Sequence, residues 1–454
     1  MITLPKPALE IIATLTKHGF EGFAVGGSIR DLLLGLPTKD WDFTTNAPPQ
    51  KVLEIFPDSF YDNEFGTVGI PYKTDSGTEA YEITTYRSEH GFSNKRHPDK
   101  VKWGASLEAD LARRDLTINA IAFDGEKLID PFAGQEDLQK KLVRTVGKPE
   151  DRFGEDALRL IRTIRIAAQL GFTIEPQTLS AISSNAGLLK NVSSDRIRTE
   201  LMKITGSKYA ADGIMLLRNT KLLAEILPEL DRCFGVPQKS PKRHHLYDVG
   251  THLVMSLHNC PATDPLVRLA TLLHDIGKSV VFHKDPTTHI ITFYNHEVVG
   301  AKQVKEIALR LNFSKKDREK LVTLVRWHQF TVDENQNDNT LRRFIRRVGK
   351  DNLKDILDLR IGDRLGGGAQ ETSWRLRLFM ARLEEVQKQP FTVADLKING
   401  HDVMKTLGIK PGPQVGEILN KLFDAVVTQK VENKPEALRK HLAKLSVQIS
   451  DNRS

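Results

Sequence analysis

Cysteine is nearly absent from this chain. Cys233 and Cys260 are the only two among 454 residues, and neither has a companion nearby. That excludes a thiolate zinc cluster and argues against a disulfide framework. No run of about 18 apolar residues occurs, so no membrane-spanning helix is expected. No basic-then-apolar leader, internal repeat or long low-complexity stretch is present. The expectation is a soluble, cytoplasmic protein of a reducing compartment, with no membrane partner and an open subunit number. The length exceeds what one core supports and predicts about three or four domains. The formal charge of +8 and the pI near 9.2 favour a polyanionic partner such as nucleic acid.

The densest chemistry lies near the start. Phe23-Ala24-Val25 reads as a buried strand that ends at Gly26-Gly27, after which Ser28-Ile29-Arg30-Asp31 opens a short helix. Two glycines let the backbone approach a ligand, and the free amides of a helix start suit phosphate oxygens. Asp40-Trp41-Asp42-Phe43 follows. On a strand, Asp40 and Asp42 share one face and Trp41 and Phe43 the other. Paired carboxylates beside a phosphate cradle suit Mg²⁺-dependent phosphoryl transfer, although each half taken alone also fits a solvated strand edge. Strands are predicted at 67–73 and 79–86. Glu82, in the second, is either a third metal carboxylate or an ordinary exposed strand residue. Residues 87–102 carry Arg87, Lys95, Arg96, Lys100 and Lys102. They read as a mobile basic loop, either solvated or a lid over triphosphate or RNA.

Arg113-Arg114-Asp115-Leu116-Thr117-Ile118-Asn119-Ala120 puts two arginines and an aspartate before an apolar run. Forked guanidinium groups suit phosphate, and a carboxylate suits ribose hydroxyls. Asp130-Pro131-Phe132 with Gly134 reads as a closing turn. Further on, Glu155, Asp156, Arg159, Arg162 and Arg165 recur at helical spacing beside an apolar stripe of Leu158, Ile161, Ile164 and Ala168.

In this order, these motifs resemble the class II tRNA nucleotidyltransferase and bacterial poly(A) polymerase family. The resemblance implies an α+β protein: a polymerase-beta-type head of mixed sheet and helices over 1–145, then an all-α neck over 146–235. It implies that Asp40 and Asp42, with Glu82 as a further candidate, bind two Mg²⁺ ions. Gly26, Gly27 and Arg30 fall in the phosphate cradle, and Arg114, Asp115 and Asn119 are implied to engage triphosphate and ribose. Asp156 and Arg159, with Arg162 beside them, map onto a protein template for the incoming base. Cytosine and adenine both place an exocyclic amino donor beside a ring acceptor, which one Asp–Arg pair can accept, whereas G and U present the wrong order. The next helix, around Ser193-Ser194-Asp195-Arg196, supports that template, with Ser194 as its expected N-cap.

A second constellation comprises His252, His274-Asp275 and Asp363, with His296 and His328. A His–Asp pair in an apolar helix needs strong compensation, and metal coordination supplies it. The pattern resembles the all-helical HD phosphohydrolase superfamily. It implies a divalent transition metal on His252, His274, Asp275 and Asp363 within a 236–390 domain, and a second metal at His296 and His328 as in some members. Retained phosphohydrolase activity and a purely architectural or RNA-binding role both remain open. His244, His245, His258, His283 and His289 read as ordinary histidines. Residues 391–454 predict a helical, tRNA-binding tail, in which Leu407 to Gly416 is either a phosphate-holding helix start or simply a turn.

The function these resemblances imply is addition of C, C and A to a tRNA 3′ end from CTP and ATP. A poly(A) polymerase or a partial CC- or A-adding enzyme is the close rival. A metal-dependent phosphohydrolase with an RNA-binding head is the rival of another class.

Overall fold

The computed structural model describes all residues except 1–2, 39, 62–66, 75–76, 91–99, 104–105, 239–245, 334–335, 388–392, 429 and 452–454. The chain forms two compact units, 1–328 with 354–369, and 329–353 with 370–454. The segment 236–390, expected as one domain, contributes to both.

Helix α1 (Lys6–Lys17) lays Ala8, Ile11, Ile12 and Leu15 against β1 (Gly22–Val25). Helix α2 (Gly27–Leu33) returns the chain to β2 (Asp42–Thr45), and α3 (Pro49–Ile55) leads to β3 (Phe60–Tyr61), β4 (Thr67–Thr74) and β5 (Gly77–Thr85). A separate ribbon, β6 (Arg87–His90) paired with β7 (Lys100–Trp103), precedes α4 (Leu107–Ala112), β8 (Ala122–Phe123) and β9 (Leu128–Ile129). The main sheet has the order β3-β4-β5-β2-β1-β8-β9 and is mixed: β2 runs parallel to β5, and the other neighbours are antiparallel. Phe23, Val25, Leu111, Ala120 and Ala122 belong to the core cluster around buried Tyr86.

The basic stretch 87–102 is therefore paired strand at both ends rather than loop; Lys95 and Arg96 lie outside the described residues. Alternating residues along the two arms allow a ladder that a reading based on charge alone overlooks. The Asp130-Pro131-Phe132-x-Gly134 turn has a definite architecture. Asp130 accepts from the Gly134 and Gln135 amides at 2.7 and 2.8 Å, capping α5 (Gly134–Gln139). A Cβ on Gly134 would come within 2.3 Å of the Thr117 carbonyl oxygen, so only glycine fits.

Beyond the sheet, the unit is chiefly helical. It is not all-α: Leu142–Val143 pairs in parallel with Thr173–Ile174, and His283–Lys284 pairs with Ile291–Thr292. The expected continuous helix through Glu155 and Arg165 is broken. Helix α6 (Pro149–Glu155) ends at Asp156, whose extended φ of −141° interrupts the turn, and α7 (Leu158–Leu170) begins two residues later. Asp156 Oδ1 accepts from the Leu158 amide at 3.0 Å and satisfies the new helix start. The helix Ser194–Thr205 has Ser193 rather than Ser194 at its N-cap position, with no side-chain capping bond.

The second unit is helical. Leu396, Ile398, Val403, Ile418, Leu422, Leu438 and Leu442 form its core, drawn largely from the helices Gly400–Leu407, Pro413–Val427 and Pro435–Asp451. Asn399 and Asp402 close a capping box on the first of these. The Gly412-Pro413 start opens the second, a helix of 15 residues. No helix among the described residues is long and apolar enough to cross a membrane.

Candidate functional sites: a head cleft and a buried histidine–aspartate cluster

A polar cleft of about 370 Å³ opens over the paired strands β2 and β5. Asp42 and Glu82 are Cα partners on parallel strands, so their side chains leave the same sheet face, and both line the cleft. The alternation holds: Trp41 and Phe43, of opposite parity, are buried at 5% and 1% exposure. Asp40 is exposed and lies just before the strand, which begins at Asp42. Its charge reaches Asp42. Desolvation raises the Asp42 pKa most, Arg114 opposes this, and Asp40 adds to the rise. A carboxylate penalised for its charge and adjoining other acids, on a face open to solvent, suits a divalent cation bound through oxygen. Among the described residues, Asp40, Asp42 and Glu82 are not among the acidic and histidine sets whose ligand atoms converge within 4.8 Å.

Gly26 caps α2 with φ of +80°, and a Cβ there would sit 3.1 Å from Arg114 Nη1 and 3.3 Å from Asp42 Oδ2. Gly26, Gly27, Arg113 and Arg114 form one wall, and Asp115, Asn119, Arg159 and Arg162 line the cleft as well. Arg30 and Asp156 are not among the lining residues. Arg30 Nη1 donates to Asn119 Oδ1 at 2.8 Å, and Asn119 Nδ2 donates to Asp115 Oδ1 at 3.2 Å. Asp115 Oδ2 then faces Arg162 Nε at 3.2 Å. This relay fixes the wall and sets how Asp115 and Asn119 face the cleft. Asp156 Oδ2 pairs with Arg196 Nη2 at 2.5 Å. Arg159 is held by Glu155 at 2.5 Å and donates to the Arg113 carbonyl at 3.0 Å, tying α7 to the arginine pair. Arg196 thus lies on the helix expected to support the template, whereas Asp110 carries contacts that a motif reading passes over; it lies three and four residues before Arg113 and Arg114, a helical spacing that signals the pairing.

Burial would raise the Asp115 pKa, but Arg162 and Arg159, with hydrogen bonds from Asn119 and the Leu116 amide, bring it down to about 2. A depressed carboxyl stabilises the fold above its unfolded value, and the contribution is lost as pH falls through the folded one. Acid titration of stability is therefore expected to show a loss of about 2 kcal/mol between about pH 4 and pH 2. Chemical denaturation at each pH checks it, and Asp115→Asn should flatten that limb.

The second site lies deeper in the same unit. His274 and Asp275 follow the helix Pro265–Leu273 at its C-terminal turn rather than inside it. Asp275 Oδ1 lies 3.1 Å from His296 Nε2 and 3.4 Å from His328 Nε2. Its Oδ2 lies 3.6 Å from His252 Nε2, 3.3 Å from His274 Nε2 and 2.5 Å from Lys278 Nζ. Asp363 Oδ1 adds 3.2 Å to His252 and 3.5 Å to His274. Among the described residues, two sets converge within 4.8 Å, His252–His274–Asp275 and Asp275–His296–His328, every member buried. The Nδ1 atoms of His274, His296 and His328 donate to the carbonyls of Thr271, Phe293 and Val325 at 2.8, 2.8 and 2.7 Å. Those bonds fix the tautomer and turn each Nε2 lone pair towards the aspartates. His274 Nε2 is buried without a hydrogen bond. Oriented imidazole nitrogens around a shared carboxylate fit a divalent transition metal.

Paired sheet carboxylates facing a wall of arginines define the head cleft as a site of the nucleotidyltransferase class. The known proteins agree. Residues 22–144 match a family described as the poly A polymerase head domain, 171–234 a probable RNA and SrmB-binding site of polymerase A, and 282–442 a putative tRNA nucleotidyltransferase domain 2. The chain is 35% identical over 428 residues to an A-adding tRNA nucleotidyltransferase of Deinococcus radiodurans, covering 91% of this chain and 93% of the other. It is 32% identical over 440 residues to a CCA-adding enzyme of Lactobacillus helveticus, covering 96% of each. The crystal structure of the Bacillus stearothermophilus CCA-adding enzyme in complex with CTP superposes with a TM-score of 0.69 at 28% identity, covering 99% of this chain and 100% of that one. The chain belongs to the family of CCA-adding enzymes and tRNA nucleotidyltransferases.

Proposed function

We propose that the head cleft adds C, C and A to the 3′ end of a tRNA, taking CTP and ATP and releasing pyrophosphate. The observation that carries this is the pairing of Asp42 with Glu82 across β2 and β5, facing Arg113, Arg114 and Arg162 in one cleft.

Asp40, Asp42 and Glu82 would hold two Mg²⁺ ions, which supply activation of the attacking 3′-hydroxyl and charge neutralisation of the departing pyrophosphate. The protein's own part is positional. Gly26 and Gly27 let the phosphates approach the backbone, and Arg114 aims its guanidinium at the same space. Asp115 and Asn119, held by Arg162 and Arg30, present polar atoms for the ribose. Arg159 supplies donors to the ring nitrogen and carbonyl of cytosine. Asp156 accepts from the exocyclic amino group through the lone pairs that Leu158 and Arg196 leave over. The net charge of +8 suits RNA as the acceptor, recognised by shape and backbone.

Base choice tests the reading. With the four triphosphates offered singly, the native chain incorporates C and A and rejects G and U. Arg159→Ala is expected to lower kcat/KM for CTP about 100-fold and to reduce its preference over UTP towards parity. Unchanged preference would remove Arg159 from base selection.

For the buried cluster the reading is an HD-type metal site. His252, His274 and Asp275, with Asp363 beside them, would hold one divalent transition metal, and His296 and His328 with Asp275 would hold a second. A phosphohydrolase activity there would be separate from nucleotide addition.

A further inference from the structure

Asp110 never reaches the cleft. It sits on α4 with its side chain fully buried. A carboxylate there needs close compensation, and it receives more than one counter-charge. Arg113 donates to Oδ1 from Nε at 2.9 Å and from Nη2 at 2.7 Å. Arg114 Nη2 reaches Oδ2 at 3.4 Å, and Thr44 Oγ1 lies 3.2 Å from the same oxygen. Thr44 shares the sheet face of Asp42 by strand alternation, so β2 carries a metal-facing acid and the anchor of Asp110 two residues apart.

The arginines differ in what they have left. Arg114 pairs with Asp110, and its Nε is buried without a hydrogen bond. Its Nη1 is the atom beside the Gly26 backbone. Through Nη2, Asp110 therefore sets how the rest of that guanidinium enters the cleft.

We propose that Asp110 is the positioning residue of the nucleotide clamp: its buried carboxylate orients Arg113 and Arg114 together, so that Arg114 meets the phosphates of either nucleoside triphosphate in a preset posture. The proposal rests on the head cleft being the triphosphate site. Its effect falls on binding, and equally on CTP and ATP, because phosphates are common to both and Asp110 holds the guanidinium groups of Arg113 and Arg114. Burial opposes the charge of Asp110, yet Arg113 and Arg114 hold its pKa below the usual value, so the anchor stays ionised at neutral pH.

The test is a double-mutant cycle on the full chain, with kcat and KM measured for CTP and ATP on tRNA substrates. Asp110→Asn is expected to raise KM about tenfold for both nucleotides while kcat changes less than about threefold. Asp110→Asn combined with Arg114→Ala should be no worse than Arg114→Ala alone, within about twofold. Losses that multiply, a KM unchanged in Asp110→Asn, or a fall confined to kcat would each overturn the proposal. If Arg114→Ala itself leaves KM unchanged, the cleft reading fails and takes the proposal with it. If Arg114→Ala raises KM and Asp110→Asn does not, only the positioning role fails. Should Asp110→Asn not fold, Thr44→Val, which removes only the anchoring hydroxyl, decides by the same cycle with a smaller KM rise in the same direction.

Discussion

Replacement of Asp42 with alanine is expected to lower nucleotide addition by at least about 10³-fold while leaving the fold intact. Asp42 ends no helix and carries no capping bond. It lies on an accessible cleft face, and the core beneath it is built from Phe43 and Val25. Its carboxylate already suffers from desolvation and from Asp40, so removing it relieves local repulsion. Loss of activity with unchanged or raised thermal stability is the combined signature. Single-turnover extension alongside a melting curve measures both. Activity within tenfold of the native chain would move the metal-binding role elsewhere.

The second large effect concerns Asp275. Its two oxygens face different histidine pairs, so one substitution acts on both candidate metal positions. Asp275→Asn keeps the volume and removes the charge. Bound divalent metal, measured by elemental analysis after purification without chelator, is expected to fall at least about tenfold. Nucleotide addition should persist, because Asp275 is absent from the lining of the head cleft. Metal content that is unchanged in the variant, or nil in the native chain, would leave the cluster as a buried hydrogen-bonded network. Loss of addition along with metal would instead couple the two sites.

Parts of both sites can be read from sequence because their signals are local. The Gly26-Gly27 break, the Asp42 parity and the Asp130 turn each depend on neighbouring residues, and each takes its expected form. Glu82 could not be settled that way. Its place beside Asp42 depends on a parallel register between strands separated by α3, β3 and β4, which no short window contains. The break at Asp156 escaped for the opposite reason: the helical spacing of Glu155, Arg159 and Arg162 persists across it, so periodicity alone joins two helices. The cap on the helix Ser194–Thr205 was misplaced by one residue because adjacent serines, Ser193 and Ser194, offer the same chemistry. Arg30 carried a phosphate-binding expectation from its motif. The structure turns it inward onto Asp31 and Asn119, a pairing set by tertiary packing. Among the histidines, the sequence supplied the set, while the shared orientation came from three backbone carbonyls.

The most direct measurement of the central claim is the length and sequence of the product made by the full chain on a tRNA that lacks its last three nucleotides, with Mg²⁺, CTP and ATP. One cleft that reads both bases predicts a single product three nucleotides longer, ending in C-C-A, and a two-nucleotide stop when ATP is withheld. A lone A added only to tRNA already ending in C-C, a stop at C-C with both nucleotides present, or a long A tail would contradict it.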